Sequence, residues 1–66
     1  MKETVNVNGH TGTWCEIDST EFNGEILYLM ESEQYGENAP CLIIREDNTL
    51  FMEDVYNGFD ELFEIY

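Results

Sequence analysis

The alternation of hydrophobic and polar positions predicts a sheet built from short strands. Cys41-Leu42-Ile43-Ile44 is an unbroken apolar run, too short for a helix and rich in β-branched side chains. That is the pattern of a strand covered on both faces. Arg45-Glu46-Asp47-Asn48 supplies turn chemistry, with Asp47-Asn48 suited to positive φ, and Thr49–Met52 begins the second arm of a hairpin. Upstream, Glu25–Met30 places Ile26, Tyr28 and Met30 on one face and Leu27 and Leu29 on the other, again a strand with two apolar sides.

The remaining strands are half-buried in pattern. In Met1–Asn8, Val5 and Val7 point one way and Thr4 and Asn6 the other, as on an edge strand. Asn8-Gly9 signals a turn, which His10-Thr11-Gly12 extends into a loop of about five residues. Thr13–Ile17 resumes as a strand with Trp14 and Glu16 on one side and Cys15 and Ile17 on the other. Asp18–Glu21 weakens the pattern, as a β-bulge does, before Phe22. Asn23-Gly24 is the cleaner hairpin signal, with the residue types of a type I′ turn. Glu31–Pro40 is a polar loop.

At the C-terminus, Phe59, Leu62 and Phe63 recur at i, i+3 and i+4, the spacing of one helical face. So short a helix forms only if it docks on the sheet. The fold class predicted is α+β: an antiparallel sheet of about five strands, a meander or small barrel, with a short C-terminal helix. The 66 residues make one acidic domain spanning 1–66. Nine aromatic residues in a chain of this length argue for a packed core and against disorder.

The charge balance is the most informative feature of the composition. Fifteen Asp and Glu face two basic residues, Lys2 and Arg45, for a net charge of −13. Phosphate contacts need Lys and Arg, so direct binding to DNA, RNA or an anionic membrane is not expected, and the expected partner is basic. The plainer alternative is that acidity only confers solubility. No apolar run approaches the roughly 20 residues of a membrane span. No signal peptide is evident, so a cytoplasmic location is expected, with Cys15 and Cys41 reduced and buried; a Cys15–Cys41 disulfide needs their strands to be neighbours.

Candidate chemistry is thin. His10 is the only imidazole and sits in a glycine-bounded turn, where a solvent-exposed role is favoured over a nucleophilic couple with Cys15, Cys41, Ser19 or Ser32. No segment carries the alternating carboxylates and Gly of a calcium loop, and the two distant cysteines with one His do not make a zinc site. Carboxylate pairs such as Glu31/Glu33, Glu46/Asp47 and Glu53/Asp54 lack room for the cleft that acid–base chemistry requires. No enzyme activity, cofactor or dedicated metal is expected.

Acidic residues at alternate strand positions stand about 6.5–7 Å apart. Glu31 with Glu33, and Glu16 with Asp18, have that spacing. A stiff sheet would then hold anions in rows, as a nucleic-acid backbone does. Tyr35, in the polar loop, and Tyr56, beside Asn57-Gly58, are suited to anchor such a surface on Arg or Lys. The candidate partner-binding residues are therefore Glu31, Glu33, Tyr35, Glu37, Glu53, Asp54 and Tyr56. A second reading is an interaction or structural module, a homodimer through an exposed sheet edge or the Leu27/Leu29 face.

The succession Thr13-Trp14, Ile17-Asp18, Asn23-Gly24, Leu27–Glu33, Tyr35-Gly36, Cys41-Leu42-Ile43 and Asp54-Val55-Tyr56-Asn57-Gly58-Phe59-Asp60 resembles the large polyvalent protein-associated domains of phages and conjugative elements, which accompany antirestriction proteins. The resemblance covers residues 4–63 and lies mostly in core and turn positions. It brings no catalytic residues. It implies a mobile-element product acting inside a bacterial host against a defence system. In size and charge the chain is also similar, as a class, to anti-CRISPR proteins that act as nucleic-acid mimics. The partner this implies is a basic, nucleic-acid-binding defence enzyme.

Overall fold

The structure, a computed structural model, describes residues 1–52. Five strands follow in chain order: β1 Lys2–Val7, β2 His10–Phe22, β3 Glu25–Ser32, β4 Leu42–Arg45 and β5 Leu50–Met52. They form one antiparallel sheet in the order β1-β2-β3-β4-β5, a meander curled into a half-barrel. No helix occurs among the described residues. The C-terminal helix expected over 59–66 lies outside them.

Two Asn-Gly pairs set the hairpins. Asn8 and Gly9 have φ of 50° and 86°, and Asn23 and Gly24 have 51° and 80°. Positive φ at both central residues is the type I′ geometry, whose twist matches the strands it joins. The first hairpin is therefore tighter than the expected five-residue loop. Val7 pairs directly with His10, and His10-Thr11-Gly12 belongs to β2. Gly and Thr look like loop residues locally, but β1 offers them a complete ladder. The β4–β5 connection uses positive φ at Asn48 alone, 68°.

The expected bulge falls one residue earlier than the polar run Asp18–Glu21. Glu16 pairs with Met30 and Asp18 with Leu29, leaving Ile17 as the extra residue, 54% exposed. Its consequence is topological. Trp14 and Phe22 are both even-numbered, and on an uninterrupted strand they would share a face. The bulge reverses the alternation, so Trp14 enters one core cluster and Phe22 packs on the other. It also separates Glu16 from Asp18, so the acidic row expected from those two does not form.

The inner face carries Val7, Trp14, Met30, Ala39, Leu42 and Ile44, with Val5 and Tyr28 against them. That this face is concave follows from a hollow lined by Val5 and Val7 of β1 together with Leu42 and Ile44 of β4 and Leu50 of β5: the two sheet edges curl toward each other. The outer face carries Leu27, Leu29 and Ile43, flanked by Phe22, Cys41, Phe51 and Met52. Phe22 and Phe51 meet edge to face with centroids 6.0 Å apart, and Arg45 lies 5.1 Å over the Phe51 ring, a cation–π contact. Leu27 and Leu29 are buried.

Residues 33–41 close one end of the inner core. The indole Nε1 of fully buried Trp14 donates to the Pro40 carbonyl at 2.9 Å, and Ala39 is buried beside it. Gln34 Oε1 accepts the Thr13 amide at 2.8 Å, and the Thr13 carbonyl accepts the Glu33 amide at 2.8 Å. Buried Ser32 accepts the Tyr35 amide on its hydroxyl at 2.9 Å. A β-carbon at Gly12 would collide with the Gln34 side-chain amide, so glycine here lets Gln34 lie close over the strand and reach the Thr13 amide.

Candidate interaction surface

β3 runs on through Glu31 to Ser32, longer than the expected strand. Glu31 stands opposite Cys15 and is half-buried, and Lys2 lies opposite Cys15 on the other side. Glu33 follows at the strand end and is exposed. These four side chains share the outer face, as the alternation of β1, β2 and β3 requires. Glu31 and Glu33 are thus brought together as expected, with Cys15 and Lys2 between and beside them.

Lys2 Nζ donates to Glu33 Oε1 at 3.1 Å. The Lys2 hydrogen bond and then the Cys15 thiol hold the Glu33 carboxyl below its usual range, and the same contact holds Lys2 above its own. Desolvation and the adjacent Glu33 carboxylate push the Cys15 thiol up, which lowers its thiolate fraction and its reactivity. Cys15 and Cys41 are half-buried, less enclosed than the core thiols expected. Glu33 therefore enters the surface already neutralised in part by Lys2, which charge counting along the sequence does not reveal.

Tyr35 lies elsewhere. It is 41% exposed, yet its ring meets His10 edge-on with centroids 5.0 Å apart and planes at 78°. His10 belongs to the inner-face alternation of β2, with Gly12 and Trp14, so Tyr35 and Glu33 sit on opposite sides of the sheet although two positions apart in the chain. His10 is half-buried as the first residue of β2, its Nδ1 3.2 Å from the Val7 carbonyl; it is not the exposed turn residue expected. Glu37 is exposed in the loop. The expected cluster is divided: Glu31 and Glu33 on the outer face, Tyr35 at the end of the first hairpin, Glu37 in the loop between β3 and β4. Glu53, Asp54 and Tyr56 lie outside the described residues.

The other basic side chain is also engaged. Arg45 Nε lies 3.3 Å from Glu25 Oε1, though misaligned for a hydrogen bond. The Met1 amino group lies 3.4 Å from Glu16 Oε1. Asp47 accepts the Thr49 hydroxyl at 2.5 Å and the Thr49 amide at 3.0 Å, and these bonds hold its carboxyl below the ordinary value. Of the ten carboxylates in residues 1–52, only Glu25 and Glu33 form an ion pair with a basic side chain. The other eight occur on both faces of the sheet and in both long connections. Among the described residues no three metal-ligating side chains converge.

Sequence reasoning missed Gln34 and Ser32, which hold the loop under Tyr35 and Glu37. The faint signal was Gly12 inside what is now β2, since glycine in a strand marks a close approach. It also missed the hollow between β1 and β5, which depends on the curl of the whole sheet.

Residues 2–65 match the family model of large polyvalent protein-associated domain 18. No curated protein and no solved structure matches the chain. The match covers nearly the full length, so the chain belongs to this family of domains associated with phages and mobile elements.

Proposed function

We propose that this family member is a non-enzymatic acidic binding protein of a mobile element. It acts in the cytoplasm of the bacterial host and blocks the basic, nucleic-acid-binding surface of a defence enzyme, as an anti-CRISPR or antirestriction inhibitor does. The observation that carries this reading is the charge arrangement. Both basic side chains are engaged internally, so the surface offers a partner no free Lys or Arg and many carboxylates fixed on strands and short connections. Such a field speeds encounter with a cationic groove and repels nucleic acid. The spread of carboxylates over several surfaces suits a partner that wraps the domain or engages one end of it better than a flat single-face contact.

The test is affinity capture from a bacterial lysate with elution by salt, repeated with Glu31→Lys, Glu33→Lys and Glu37→Lys combined. Capture of a nucleic-acid-binding protein, lost in the triple variant while circular dichroism shows the sheet intact, is the result expected. Capture of the same protein by the variant with unchanged salt dependence contradicts the reading.

A second reading, an interaction module without mimicry, is favoured by the apolar hollow between β1 and β5. Salt separates the two. Mimicry loses most of its affinity as the screening length contracts from about 30 Å at 0.01 M to about 3 Å at 1 M ionic strength, and apolar docking does not.

A further inference from the structure

We infer that the seam between β1 and β5 is a docking groove for an extended, basic segment of a partner protein, which adds a strand to the edge of β1 that no described strand pairs. The inference rests on the proposed acidic binding role for the charge of the partner; the groove itself is read from the strands.

The curl brings the two edges of the sheet toward each other without closing it. Between them lies a hollow of about 160 Å³, walled by Val5, Val7, Leu42, Ile44 and Leu50. Leu50 is 47% exposed, and Val5 is half-buried. The inner core, sealed at its other end by Trp14 and the loop 33–41, is thus open here.

The edge beside the hollow has hydrogen-bonding groups to offer. In a two-residue hairpin the closing pair, Val7 and His10, exchanges both backbone bonds, and such pairs alternate along an antiparallel ladder. Val5 with Gly12 and Glu3 with Trp14 follow. The Glu16 amide donating to the Met1 carbonyl at 3.1 Å continues the same phase. The amides and carbonyls of Lys2, Thr4 and Asn6 therefore point away from β2, toward the seam. Among the described residues no strand pairs with this edge, and a strand edge over an apolar hollow is what β-augmentation uses: backbone bonds supply affinity, and alternate side chains enter the pocket. Proteins commonly blunt such edges. Among the described residues β5 offers three residues and β1 six.

Charge selects the occupant. Glu3 lines the hollow, no basic side chain does, and exposed Glu46 and Asp47 adjoin Asn48 at its end. A second copy would bring a further net charge of −13, so self-association through the seam is opposed. The complementary strand carries apolar residues at alternate positions and Lys or Arg between them.

The test titrates the full chain, labelled for amide NMR, with a short peptide alternating Val and Lys, and with one alternating Val and Glu. The Val/Lys peptide should slow exchange of the Thr4 and Asn6 amides by roughly tenfold or more and shift Val5, Ile44 and Leu50, while the Val/Glu peptide should not. Leu50→Lys, at a position that is already exposed, should weaken Val/Lys binding by about tenfold through charge and bulk. Three results overturn the inference: equal binding of both peptides, binding of neither, or slow exchange of Thr4 and Asn6 before any peptide is added. Shifts confined to Glu31, Glu33 and Glu37 overturn the groove and leave the acidic binding role standing. Loss of lysate capture in the Glu31, Glu33, Glu37 variant with the groove still binding Val/Lys peptide separates the two claims in the other direction.

Discussion

The two ends of the inner core are built from the same sheet and finished in opposite ways. At one end Trp14 is fully buried, its indole bonded to Pro40, with Gln34 and Ser32 tying the overlying loop to β2 and β3. At the other, β1 and β5 approach and leave an apolar hollow, and among the described residues no strand pairs with the outer edge of β1. The sealed end satisfies its buried polar groups within the chain, as stability requires. Among the described residues nothing covers the apolar surface and backbone groups of the open end. A domain of 66 residues with a net charge of −13 has little stability to spare, so an uncovered seam is a cost that binding offsets.

The greatest loss should come from the direct comparison of the ends. Trp14→Ala should cost about 3–5 kcal/mol by denaturant unfolding, whereas Leu50→Ala in the half-exposed wall of the seam should cost roughly 1 kcal/mol or less. Equal losses would mean that the two ends contribute alike.

A smaller effect sharpens the sealed end. Gly12→Ala should destabilise by roughly 1–2 kcal/mol, because its methyl displaces the Gln34 amide from the Thr13 N–H. In a Gln34→Ala background the same substitution should cost clearly less, a coupling that a double-mutant cycle reads directly.

The smallest effect is ionic. Glu33 has a lowered carboxyl in the folded chain, so its contribution is present above the unfolded value near 4.5 and disappears as pH falls through the lower folded value. Lys2 is raised, so its share is complete below the unfolded value of 10.5 and disappears as pH rises through the folded one. The pair therefore supports the fold between these limits. Both groups are exposed, so the difference in thermal midpoint between wild type and Lys2→Met should be slight at neutral pH and absent in strong acid.

These contrasts also mark what the sequence made legible. The Asn-Gly turns were readable because two adjacent residues determine them, and the two-faced pattern of β3 and the apolar run of β4 were readable by counting. The start of β2 at His10 was not, because its strand character comes from β1. The bulge was placed among polar residues, but it falls on Ile17, where register and not polarity decides. Of the candidate surface, the pairing of Glu31 with Glu33 was legible from spacing. The engagement of Glu33 by Lys2, the divergence of Tyr35 toward His10 and the separation of Glu16 from Asp18 depend on contacts distant in the chain or on the bulge.

The most direct measurement is amide hydrogen exchange along β1 in the free protein. An open seam predicts an alternation: Val5 and Val7 protected through their bonds to β2, Thr4 and Asn6 exchanging close to the unprotected rate. Uniform protection of all four would mean that the edge is already covered, and the contrast between a sealed and an open end would be lost.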